Sequence, residues 1–228
     1  DGSCSCGQDP CGTVTALAPH GQGVAKHPMT ARGFKDATTN EKIITGWWTK
    51  TPKANIGLPI PRAVFGLDVD KRSGGLESLK RMEEEHGWLP TTPSSFTGGG
   101  GRHYFFTLEN SDAGIKSSGV VKGFPGIEWK APGGYVVAPP SIHLTGGEYI
   151  WEVFSSLFDI PMAPIPDWLR VLVAESEGSG ISRPGKQSER GEELGGERSG
   201  RKSRLTRDET ENLFQQIYPE GTRQTSLP

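Results

Sequence analysis

Two aspartates, Asp68 and Asp70, close an apolar run from Ala63 to Leu67, and that junction constrains the fold more than any other stretch of the chain. A short apolar run rich in Val and Phe is the pattern of a buried strand. Side chains two apart on a strand share a face, so both carboxylates project together from the end of a strand Ala63–Asp70. Two anions side by side next to a core are costly unless a cation lies between them, and a divalent metal is the usual answer. A D-x-D in a surface turn is the plainer alternative. The apolar run before it favours the buried strand.

Further on stands Thr97-Gly98-Gly99-Gly100-Gly101-Arg102-His103. Consecutive glycines let backbone N–H groups approach an anion without side-chain interference. Arg102 and His103 then lie where a triphosphate would, and His103 opens the aromatic strand Tyr104-Phe105-Phe106. A hairpin tip with a structural histidine fits the same residues. A third acid, Glu128, follows Ile127 and shares a strand face with Lys130. That pair suits a metal ligand beside a phosphate-binding cation, or a solvent-facing ion pair. His20, His27, His86 and His143 lack such a context and read as loop or surface residues.

At 228 residues the chain can hold one substantial domain plus appendages. The net charge of −2 gives no bulk support for nucleic-acid binding, so any basic groove must be local. No apolar run reaches the roughly 18 residues of a membrane span, and no secretory leader is visible. The cytoplasm is the default compartment. The three cysteines, Cys4, Cys6 and Cys11, crowd into the start of the chain. Their spacing lacks a fourth zinc ligand unless His20 supplies one, and a disordered leader over residues 1–12 is the expectation. Opening on Asp1 and stopping just after an apparent helix, the chain reads as a piece of something longer.

The elements follow from periodicity. Val14–Ala18 is a possible short strand. Thr38 with Glu41 three residues later forms a capping box for a helix whose Ile43, Ile44, Trp47 and Trp48 make an apolar stripe. Those tryptophans read as core before they read as ligand stackers. Leu76, Leu79 and Met82 mark a helix Gly75–His86 ended by Gly87. Ser95-Phe96 and His103–Leu108 form a hairpin around the glycine loop. Ile127–Trp129, Tyr135–Ala138 and Tyr149–Val153 are further strands, and Pro166–Ala174 is a closing helix. These place the main domain at 13–174. Ser, Gly, Glu and Arg then dominate a disordered linker over 175–205. Residues 206–228 open an incomplete helical region, with a weak helix Thr206–Tyr218. Gly180 to Lys186 imitates a Walker A loop, but Gln187 stands where Ser or Thr belongs and no strand precedes it.

Taken together, these segments resemble the N-terminal domain of bifunctional DNA primase/polymerases of plasmids, phages and integrated elements, in the archaeo-eukaryotic primase superfamily. The resemblance rests on Gly33 to Thr39, Ala54 to Gly57, Gly66 to Asp70 with Gly74-Gly75, Thr97 to His103, and Gly133 to Ser141. They occur in family order across residues 14–155. The resemblance implies an α+β fold: an RRM-like palm sheet packed with an N-terminal α/β unit, the active site in the cleft between them. It implies Asp68, Asp70 and Glu128 as ligands of a two-metal Mg²⁺ or Mn²⁺ site, and His103 on the incoming nucleotide's phosphates. Thr97, Gly99 and Gly100 would shape that pocket, with Arg102 and Lys130 as its cations. The chain departs from the family in having glutamate as third acid, Pro132 before the paired glycines, and a cysteine-rich leader in place of the N-terminal strand and helix.

The expected activity is metal-dependent nucleotidyl transfer from nucleoside triphosphates, making and extending primers on single-stranded DNA. A basic surface including Lys116 and Lys122 is the expected template contact. A helicase, in cis or in trans, is the expected partner. The alternative is a binding module that holds nucleotide or single-stranded DNA and recruits a helicase. A metal-dependent nuclease ranks below both, because the glycine loop with Arg102 and His103 argues for a triphosphate.

Overall fold

A computed structural model describes residues 26–109 and 114–178. The cysteines, the strand Val14–Ala18, the Walker-like stretch and the helix Thr206–Tyr218 lie outside the described residues, as does nearly all of the expected linker. In chain order the elements are α1 (Glu41–Lys50), β1 (Ile56–Pro59), β2 (Val64–Val69), α2 (Gly75–His86), β3 (Ser94–Phe96) and β4 (Arg102–Thr107). β5 (Ser118–Val120), β6 (Ile127–Lys130), β7 (Tyr135–Ala138), β8 (Ser141–Ile142), β9 (Glu148–Trp151), β10 (Ala163–Pro164) and α3 (Asp167–Ser176) follow. The architecture is α+β.

The main sheet runs β5-β6-β2-β4-β3-β9-β8, with β10 against β4, and β1 pairs separately with β7. Its ladders are antiparallel apart from the short β10–β4 pairing. Strand alternation divides the central strands cleanly. Phe65, Leu67 and Val69 of β2, Phe106 of β4, and Ile127 and Trp129 of β6 form one core with Leu79 and Met82 of α2 and Leu169 and Val173 of α3. On the other face Val64 and Phe105 join Leu58, Ile60, Val136, Ala138, Leu157 and Met162 in a smaller cluster. Each large side chain so buried contributes about 1.5–3 kcal/mol relative to exposure. The β1–β7 pair therefore covers only part of that second face, and a cleft remains beside it.

Helix α2 has the bounds read from the sequence, but α1 departs from its expectation. Asn40, not Thr38, caps α1: its side chain accepts from the Ile43 N–H at 3.2 Å, while Thr38 Oγ1 accepts from the Asn40 N–H at 3.1 Å. A side chain one position ahead of Glu41 reaches the orphan donor of the first turn more directly than one three positions back. Nor are the tryptophans core. α1 has no buried residue, and Trp47 and Trp48 are half-buried. Trp48 instead donates from Nε1 to the Ala54 carbonyl at 3.1 Å. Among the described residues no helix is long and apolar enough to cross a membrane.

Trp129 shows how tightly the helix-side face is packed. Its register partner on β5 is Gly119, and a Cβ there would lie 2.2 Å from the indole. Only a glycine lets the ring lie across the neighbouring strand. Gly119→Ala is expected to destabilise the domain by about 1–3 kcal/mol through overpacking, measured as a lower urea midpoint with an unchanged m-value.

Candidate active site

The cleft takes its chemistry from one register. Asp68 on β2 stands opposite His103 on β4 and also opposite Glu128 on β6. Three polar side chains thus form a row across three strands, on the face that Leu67, Val69, Ile127 and Trp129 turn away from. Lys130, two residues beyond Glu128, joins them. His103 Nε2 lies 3.5 Å from Asp68 Oδ1, and Lys130 Nζ lies 2.8 Å from Glu128 Oε2. The His103 ring is buried, and among the described residues its Nδ1 has no hydrogen-bond partner, as is also true of Oγ on its cross-strand neighbour Ser95.

Asp70 lies just past the end of β2 and caps a 3₁₀ turn over Lys71–Ser73. Its carboxylate accepts from the Arg72 N–H at 3.0 Å and from Ser73 Oγ at 3.2 Å, and pairs with Arg72 Nε at 3.3 Å. The glycines that follow allow this: Gly75 is pressed so close to the Gly126 carbonyl that a Cβ would lie 2.6 Å away.

The cleft holds about 440 Å³, within the range of small-molecule sites. Asp68, Asp70, Thr97, Gly99, His103, Glu128 and Lys130 line it. Gly100 and Arg102 do not. Alternation along β4 sends Arg102 to the face opposite His103. There its guanidinium stacks 4.4 Å over the Phe96 ring and pairs with Glu152 at 3.1 Å. The glycine loop is also not an open fan of N–H groups. Thr97 closes it, its carbonyl accepting from the Gly100 N–H at 2.8 Å and its Oγ1 from the Gly101 N–H at 3.0 Å. Gly101 is required because a Cβ would lie 2.0 Å from the Val69 carbonyl oxygen, and Gly100 because its φ is +83°. Near the end of α3, Lys116 donates to Glu177 from both its backbone N–H and its ammonium, and Lys122 donates to Ser176 Oγ from its backbone N–H, its side chain being exposed.

Asp68, Asp70 and Glu128 are hard oxygen donors on one cleft wall, the chemistry that suits Mg²⁺ or Mn²⁺. Among the described residues no three His, Cys, Asp or Glu side chains converge in ligating geometry; Asp70 is turned onto Arg72, and Glu128 onto Lys130. The donor set fits a hard divalent ion once those two pairings open.

A family model described as bifunctional DNA primase/polymerase, N-terminal, matches residues 13–168, a span that contains every cleft residue named above. The chain belongs to that family. No curated protein and no solved structure shows a significant match. In this primase/polymerase domain the sequence reading missed Arg72, His143 and Tyr149, all of which line the cleft, as His27 does. His143 is 5% exposed rather than a surface residue. Its signal was alternation from Ser141, which is also buried. His86 is on the surface, as expected, stacked on Trp168 at 5.6 Å.

Burial pulls the Asp68 carboxyl upward, but His103, followed by Lys130 and Lys26, outweighs it and holds the group below the usual carboxylate range. A carboxyl whose folded pKa lies below its unfolded value stabilises the fold above that unfolded value and loses the contribution as pH falls. The stability difference between wild type and Asp68→Asn is therefore expected to be constant near pH 5 and to shrink below about pH 4. Urea unfolding at a series of pH values measures it.

Proposed function

We propose that the domain catalyses metal-dependent nucleotidyl transfer, synthesising and extending primers on single-stranded DNA during replication of a phage, plasmid or integrated element. The observation that carries this reading is the shared register of Asp68, His103 and Glu128, flanked by Lys130 and closed by the Thr97 loop. In this reading β6-β2-β4 is the core of an RRM-like palm, and α1 with β1–β7 forms the opposing α/β unit. The catalytic unit of this reading covers 13–174, with α3 running on to Ser176.

The reaction joins the 3′-hydroxyl oxygen of a growing strand to the α-phosphorus of a nucleoside triphosphate and breaks the bond to pyrophosphate. Asp68, Asp70 and Glu128 would hold the divalent ions, which would supply a lowered pKa for the attacking hydroxyl and neutralisation of charge on the leaving group. His103 and Lys130 sit beside those carboxylates and are placed to take phosphate oxygens. Arg102, paired with Glu152 on the far face, has no part in that clamp. Template contact falls to a local basic surface for which the exposed Lys116 and Lys122 remain the candidates, and a helicase in cis or in trans is the partner that would supply single strands.

Primer synthesis on single-stranded DNA, with labelled nucleotides and Mn²⁺ or Mg²⁺, tests the reading. Wild type should make labelled oligonucleotides, and Asp68→Ala/Asp70→Ala should lose at least about 10²–10³-fold in rate, the scale for removing a preorganised electrostatic group. Nucleotide binding without any synthesis by folded, metal-supplied wild type would overturn it in favour of a binding module.

A further inference from the structure

At the glycine-loop end of the cleft, three groups converge that the mechanism above does not use. A Cβ placed on Gly99 would stand 3.8 Å from Arg72 Nε and 4.0 Å from His143 Nε2. The Gly99 α-carbon thus faces the space between a guanidinium and an imidazole. The His143 ring is held rigidly. Its Nδ1 lies 2.9 Å from Thr145 Oγ1 and accepts from the Thr145 N–H at 3.4 Å. An Nδ1 that accepts leaves the proton on Nε2, so the cleft side of His143 presents an N–H donor. Burial first, then Lys26 and Arg72, keeps the ring below the ordinary imidazole range, and Asp70 pulls the other way. The ring is therefore a neutral donor near pH 7. Tyr149 packs between the two histidines, its ring centroid 6.2 Å from that of His103 and 6.4 Å from that of His143. Burial, with the Asp68 charge adding to it, pushes its phenol up to about 12, so it also keeps its proton.

The geometry points to a terminal-phosphate pocket: Arg72 and the Nε2–H of His143, separated by the bare α-carbon of Gly99, bind the β- and γ-phosphates of the incoming nucleoside triphosphate. This rests on the nucleotidyl-transfer reading and adds what distinguishes a triphosphate from a monophosphate. A planar guanidinium matches phosphate oxygens in pairs, and a fixed N–H donor needs no reorganisation when the anion arrives. Gly99 is the informative position. Unlike Gly100 it has no positive φ, and unlike Gly98 and Gly101 a Cβ there would touch nothing closer than 3.8 Å. Neither backbone strain nor packing requires a glycine there, and a side chain would intrude on the space between Arg72 and His143 that the anion fills in this proposal.

The test is calorimetric binding of dATP, dADP and dAMP, with Mg²⁺ and without DNA, alongside the primer assay. Wild type should bind dATP much more tightly than dAMP. Arg72→Ala and His143→Ala should each cut that ratio about tenfold or more, the scale of a charge-assisted hydrogen bond. His143→Gln, which retains an N–H donor, should recover most of it. Gly99→Ala should reduce the ratio with an unchanged unfolding midpoint, and Arg102→Ala should leave the ratio alone. An undiminished dATP-to-dAMP ratio in folded Arg72→Ala and His143→Ala overturns the pocket, even if primers are made. A ratio that tracks these variants in a wild type that makes no primers upholds the pocket and removes the polymerase reading. Failure of wild type to prefer dATP overturns the pocket outright.

Discussion

Strand β2 is the constraint on which the rest depends. Its neighbours β4 and β6 are both antiparallel to it and in a register that sets Asp68 opposite His103 and Glu128. Because a one-residue slip would send every side chain to the other face, the same register that buries Leu67, Val69, Ile127 and Trp129 against α2 and α3 must present the charged row to the cleft. The apolar core is what makes the site rigid. Neither strand can shift without exposing a tryptophan or burying a carboxylate.

Charge on the cleft wall is balanced locally. Asp68 lies against His103, Glu128 against Lys130, and Asp70 against Arg72. Anions so close together raise one another's energy, and each has a cationic or protonatable partner within 4 Å. The partners are also groups that suit phosphate oxygens. A cleft that receives a divalent cation and a polyanion together, as the proposed reaction requires, can exchange these internal pairs for external ones with little change in net charge.

The sequence was most legible where one local rule sufficed. Helix α2 and strand β7 have the expected bounds, since apolar spacing, Gly87 and the cis Pro139–Pro140 pair delimit them. β1, β5, β8 and β10 were not read as strands, because Gly57 and Pro59, Ser118 and Gly119, Ser141, and Pro164 interrupt their apolar residues with turn formers. Asn40 displaced Thr38 as the cap by two residues. The tryptophans of α1 show the wider limit: an apolar stripe at helical spacing says that a face can be buried, and only the packing of the whole chain decides how far it is.

By itself the sequence determined that an apolar strand ends in paired aspartates, that a glycine loop leads into His103, and that Glu128 and Lys130 share a face, because alternation and glycine chemistry are properties of the local chain. Only the tertiary structure decided which of those residues meet. It brought Asp68, His103 and Glu128 into one row, turned Arg102 away to Glu152, and drew in Arg72, His143 and Tyr149, of which the last two come from the far side of the sequence. Register and strand order are set by how the two faces of the sheet bury their apolar residues. That is a property of the whole packed core and of no single segment within it.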